Sequence, residues 1–251
     1  MDISSLISEE KFFAGIPIEI PDTCTIYFPT LREIANIGAK NFYSYVNLLT
    51  LDKEDVDEFF SQQGLENNEI SPFQFTLMNA HNDSIYLNDL KRAFDFFLHE
   101  KEIYILVENE AIILGDLKEN RIINSEKFDA ICSVLRASHN VGQDTTEQKM
   151  DNPSNAKAAE IIKKIKEGRK LKEKSKSSNL SFLDLVASLA AKGNGINPLN
   201  VWDLTYYAFN DQFKRMQAIE EYEQAVNAVQ AGADPKKVKI EYWVKSIQDK
   251  K

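Results

Sequence analysis

The chain has 251 residues, 43% of them apolar and 27% charged, which is enough for one large domain or two small ones. Its formal net charge of −9 argues against a general nucleic-acid binder. The start "MDISSLISEEKFF" lacks the basic and apolar regions of a signal peptide, and no apolar run approaches the ~20 residues of a membrane span, so a cytoplasmic protein is expected.

Residues 1–140 hold 24 acidic and 11 basic side chains, a net of −13. Residues 155–176 hold nine basic and three acidic ones, a net of +6, and residues 177–251 balance at nine each. An acidic body, a basic segment and a neutral tail suggest separate units. The two cysteines, Cys24 and Cys132, sit in strand-like and helix-like surroundings and read as free buried thiols.

The first unit reads as α+β. "IPIEI" and "CTIYF" flank Pro21-Asp22 and predict a β-hairpin. Thr30 with Glu33 three residues on is a capping box. It opens a stripe of Leu31, Ile34, Ala35 and Ile37, which Phe42, Tyr45, Val46 and Leu49 continue after a bend near Gly38. Asp52 or a neighbour caps a helix that turns Val56, Phe59 and Phe60 inward and stops at Gly64. Helices follow at 71–80 and 87–99. The period then drops from 3.6 to 2: "EIYILVE", "AIILGD" and "NRIIN" predict a three-stranded meander. "SEKFDAICSVLRASH", capped by Ser125, closes the unit as a helix.

"HNVGQDTTEQKMDNPS" (139–154) is too polar to offset its ordering entropy and reads as a linker. A narrow stripe of Ala158, Ile161, Ile162 and Ile165, with Leu171 as a further candidate, follows on a basic helix. Ser181 with Asp184 caps the next helix, which Gly193 ends. Asn197 as cap and Pro198 in the first turn predict a long helix that Gly232 and Pro235 end, with a terminal helix carrying Val238, Tyr242, Trp243 and Ile247 after it. The expected layout is an acidic α+β domain (1–138), a linker with a basic helix (139–178) and an all-α domain (179–251).

Nothing in the chain spells a reaction. His81, His99 and His139 stand in no metal-binding spacing, "DKEDVDE" (52–58) lacks the order of a calcium loop, and "GNG" (193–195) is no dinucleotide turn. No phosphate loop occurs. No enzyme activity, cofactor or metal is expected. The basic segment 155–176 reads as connector, protein contact, or nucleic-acid or membrane-surface contact; it has no aromatic side chain for base stacking.

The strongest pattern lies near the end. Leu199, Trp202, Tyr206, Phe209, Phe213 and Met216 follow spacings of 3, 4, 3, 4 and 3. Burying each large side chain is worth about 1.5–3 kcal/mol, so something covers this seam. One reading is a compact three-helix mini-domain; the other is a partner helix from a second copy or another protein, with Tyr207 as an exposed aromatic anchor.

Two stretches, "IYFPTLREIANIGAKNFYSYVNLLTL" (26–51) and "NPLNVWDLTYYAFNDQFKRM" (197–216), resemble tail assembly chaperones and related accessory proteins of phages and prophages of Gram-positive bacteria. The resemblance implies a non-enzymatic protein of the host cytoplasm that binds the tape measure protein and the tail tube protein before they polymerise. It is then absent from the finished particle. It also implies a short form and a frameshift-extended form. Pro29, Thr30, Glu33, Ile34 and Gly38 would be structural. Trp202, Asp203, Tyr206, Phe209, Asp211 and Phe213 would be contact residues, with packing inside the chain as the rival role. A structural subunit of the virion and a regulatory factor acting on nucleic acid through 155–176 are the alternatives.

Overall fold

A computed structural model describes residues 6–62, 64, 70–119, 121–139, 181–234, 238 and 240–244. The basic segment 155–176, nearly all of the expected linker and Ile247 lie outside the described residues.

The N-terminal part is α+β and the C-terminal part is helical, as the periodicities predict. In chain order come α1 (Glu9–Ala14), β1 (Ile18–Ile20), β2 (Cys24–Ile26), α2 (Leu31–Ile37), α3 (Ala39–Leu48), α4 (Lys53–Gln62), α5 (Pro72–Asn82) and α6 (Ser84–Leu98). Then follow β3 (Ile103–Leu106), β4 (Ala111–Leu114), β5 (Arg121–Ile123), α7 (Ser125–Ser138), α8 (Phe182–Lys192) and α9 (Tyr206–Gln230).

β1 and β2 form the expected hairpin, with Ile18 opposite Ile26 and Ile20 opposite Cys24. Those four side chains face the core on one side of the ribbon, as alternation requires. β3, β4 and β5 form the antiparallel meander, and Ile103, Ile112, Leu114 and Ile123 point inward from it. α7 packs on β1 and β5, while α6 packs on β2, α3 and α5.

Local chemistry sets most boundaries. Thr30 accepts from the Glu33 amide and Glu33 returns the bond to the Thr30 amide at 2.8 Å, so α2 starts where expected. Gly38 adopts φ +83°, outside the range open to side-chain-bearing residues, and breaks the stripe into α2 and α3. α6 begins three residues earlier than predicted because Asp83 caps it, bonding the Ile85 and Tyr86 amides. Asn124, rather than Ser125, caps α7. Gly193 ends α8 at an ordinary φ of −66°; it is needed because a Cβ there would stand 2.6 Å from the Leu189 carbonyl oxygen.

Two features depart further from the pattern. α1, six residues long, carries too short a stripe to announce itself, yet buries Phe12 completely. The last long helix starts at Tyr206, nine residues beyond Asn197. Asn197 instead accepts from the Leu199 and Asn200 amides, making a local turn. Thr205 is the real cap: its Oγ1 accepts from the Ala208 amide at 3.1 Å and donates to the Phe12 carbonyl at 3.3 Å. Thr205→Ala removes both bonds and is expected to cost about 1–2 kcal/mol, measured by urea unfolding.

One hydrophobic core spans both parts. Phe182, Val186, Leu189, Val201, Tyr207 and Phe209 join the cluster built by α1–α3, α5–α7 and the sheets. A smaller cluster of Leu51, Val56 and Phe75 lies under Phe59 and Phe60.

Candidate functional site

The seam sits where the C-terminal part meets the body. The stretch Pro29–Leu31 pairs with Leu204–Tyr206 in a short antiparallel bridge. The Leu31 amide donates to the Leu204 carbonyl at 2.9 Å, and the Tyr206 amide to the Pro29 carbonyl at 3.1 Å. Beside it Arg32 reaches Asp203 at 2.8 Å, an exposed pair worth little energy but consistent with the register.

The seam residues divide into three groups. Leu199 stands 85% exposed at the tip of the Asn197 turn, so it is no part of a helical stripe. Tyr206 packs with its ring 4.9 Å from Phe42 and 5.5 Å from His139, and Phe209, 2% exposed, lies 6.2 Å from Phe182. Trp202, Phe213 and Met216 are half-buried against the edge of the same core.

Tyr207 is buried, not the exposed anchor that its off-seam position predicts: it is 5% exposed, 5.6 Å from the Phe12 ring. The reason is that the first turn of α9 is enclosed on more than one side. α1 covers Tyr207 on one flank and α8 packs along another. The cover for the seam therefore comes largely from the N-terminal elements, not from a separate three-helix unit. Asp211, the second acid of the motif, pairs with Arg215 one turn on, at 2.7 Å.

His139 is the residue that sequence reasoning missed. It follows α7 and precedes a polar run, which made it look like the first linker residue. Its ring is enclosed by Phe42, Phe97 and Tyr206 at 5.4–5.6 Å. Nδ1 bonds the Leu135 carbonyl at 2.8 Å and Ser138 Oγ at 3.0 Å, while Nε2 has no protein partner. Burial pushes its pKa down to about 4, against a smaller upward pull from the Leu135 carbonyl. No sequence signal marks this cage, because its walls come from three distant helices.

A second concavity of about 640 Å³ lies between the β1–β2 hairpin, the end of α6 and β5. Glu19, Asp22, Glu100 and Glu119 line it, and Arg121, the one cation among the described residues that line it, is held by Glu100 and Glu119. Tyr27 and His99 stack at 4.0 Å on its wall. Cys24 is on the floor, its thiol pushed up to about 12 by burial first and the Glu100 charge second. Such a thiol stays protonated at neutral pH and is a poor nucleophile. Cys132 is raised for the same reason, buried in the core. Among the described residues no group of three His, Cys, Asp or Glu side chains is placed to hold a metal ion. No described helix is long and apolar enough to cross a membrane.

A family model described as the YomV second domain matches residues 172–248, under a third of the chain. The match takes in α8, the Asn197 turn and all of α9, the elements that carry the seam, and it points to a phage-associated protein. Comparison with curated proteins and with solved structures gives no match.

Proposed function

We propose that the protein is a non-enzymatic phage assembly factor of the tail-chaperone kind. It acts in the host cytoplasm and holds a helical stretch of the tape measure protein, or of the tail tube protein, on the distal part of α9. The observation that carries this reading is the division of α9 itself. Its first turn is sunk in the body, while beyond it Ile219, Tyr222, Val226 and Val229, at spacings of 3, 4 and 3, form a half-buried apolar stripe on one side. Glu221, Gln224 and Asn227 face water on the other side, and the exposed Glu223 and Gln230 border the stripe. A helix of 25 residues is about 37 Å long, so most of α9 extends past its anchor. A stripe of this spacing is what a second amphipathic helix packs against. In this reading Trp202 and Phe213 touch the partner at the rim, whereas Tyr206, Tyr207 and Phe209 fix the helix to the body.

The test is co-expression with tape measure and tube proteins followed by affinity capture. Retention by the wild-type chain and at least a tenfold loss in Val226→Asp/Val229→Asp, with an unchanged circular dichroism spectrum, are expected. Equal retention by both chains overturns the reading. The protein is also expected to be missing from purified particles; finding it there in stoichiometric amount makes it a virion subunit instead.

A further inference from the structure

The stripe on α9 is not bare in the free protein. At the end of the helix the amides of Ala231, Gly232 and Ala233 bond back to the carbonyls of Asn227, Val229 and Ala228. Gly232 takes φ +98°, a conformation that reverses the chain and that side-chain-bearing residues avoid. Ten residues before Gly232 lies Tyr222, and ten after it lies Tyr242; their rings meet edge to face at 5.6 Å and 88°. Trp243 packs next to Tyr242 at 5.9 Å. The chain thus returns along the helix it has just left.

The return is a poor cover. Ile240, Tyr242 and Val244 remain 45%, 60% and 56% exposed. The described residues 240–244 form no helix, so their side chains do not repeat at the helical spacing of the stripe. Those of a second helix do. The distal half of α9 is also one-signed: Glu220, Glu221 and Glu223 lie on it, Glu223 beside the stripe, and no Lys or Arg occurs between Arg215 and Lys236. Of these acids, Glu220 is already paired with Lys192.

We propose that Ile240–Val244 is a displaceable strap, which occupies the distal face of α9 until an amphipathic helix with Lys or Arg along its flank replaces it. This rests on the proposed function for its biological partner, but not for its physics. Because the strap is tethered to the helix it covers, its effective concentration is high, and weak or mismatched apolar segments are kept off. A helix with matching spacing and opposite charge buries more of the stripe and wins. The strap therefore makes the site selective.

The probe is a synthetic amphipathic helical peptide with leucines at i, i+3, i+4 and i+7 and lysines on the flank, used with the full chain carrying Trp202→Phe so that Trp243 alone reports. Peptide binding is expected to shift Trp243 emission to the red. A chain ending at Asp234 is expected to bind the peptide at least fivefold tighter. Tyr242→Ser, which keeps the whole chain, is expected to bind it severalfold tighter. An unmoved Trp243 emission at saturation, or equal affinity in all three chains, overturns the strap; so does a failure of the shortened chain to bind. A glutamate-flanked peptide binding equally well overturns the charge preference. Capture of tape measure protein with no change at Trp243 sinks the strap and spares the function. Strap release by the peptide in a chain that captures no phage protein does the reverse.

Discussion

Acidification from pH 7 to about 4.5 is expected to weaken the fold by on the order of 2–3 kcal/mol through His139 alone. In the unfolded chain the imidazole titrates at its usual value of 6.5, and in the folded protein burial holds it down to about 4. Below pH 6.5 the unfolded chain takes up a proton that the folded chain refuses. The contribution is thus fully present above 6.5, shrinks as pH falls, and is exhausted near 4. The cause is geometric. Phe42, Phe97 and Tyr206 surround the ring, no charged side chain among the described residues acts on it, and the Leu135 carbonyl compensates only in part. Carboxylates titrate over the same range, so the measurement is a comparison. Urea unfolding is followed at pH 7 and 4.5 for the wild type and for His139→Phe, and the variant is expected to lose less stability on acidification by that amount. Parallel pH profiles would show that the imidazole is solvated, and the contact between α7 and α9 would then have to be looser than described here.

Phe209→Ala is expected to cost about 3–5 kcal/mol, against about 0.5 kcal/mol or less for Leu199→Ala, although both residues lie on one seam in the sequence. Phe209 is fully enclosed, with Phe182, Tyr206 and Phe213 around its ring, and its loss leaves a cavity. Leu199 is almost wholly in water and leaves nothing behind. Thermal unfolding followed by far-ultraviolet circular dichroism and by tryptophan emission measures both. Since one core spans the two parts of the chain, the two signals are expected to fall together. Separate transitions, with Phe209→Ala moving only the second, would mean that the C-terminal helices fold by themselves.

Reading the sequence succeeded where a boundary is decided by neighbours. The pairs Thr30–Glu33 and Ser181–Asp184 cap helices through bonds spanning three residues, and Gly38 breaks a stripe by its own backbone freedom. Both sheets follow from two-residue alternation broken at turns. It went astray where local chemistry offers two outcomes. Asn197-Pro198 is a sound helix start in isolation, but Asn197 and Asn200 also satisfy each other in a turn, and Thr205 has Ala208 three residues on where a capping box would place an acid. The candidate site was legible only as a stripe. Which members of it are sunk depends on Phe12, Phe42 and His139, which approach from far away in the chain, and no periodicity carries that information. Tyr207 illustrates the limit: its neighbours in sequence leave it off the stripe, and Phe12 of α1, nearly two hundred residues earlier, packs against its ring.

The bridge between Pro29–Leu31 and Leu204–Tyr206 bears on biosynthesis. It fastens partners 173 and 177 positions apart, and the neighbouring bond from Thr205 to Phe12 spans 193. Such a closure is slow, because a long loop must be closed before any contact rewards it. A nascent chain still on the ribosome at residue 200 has Phe12 and Phe42 made but their covering rings from α9 unmade. A product terminated soon after α7 would carry that bare patch permanently.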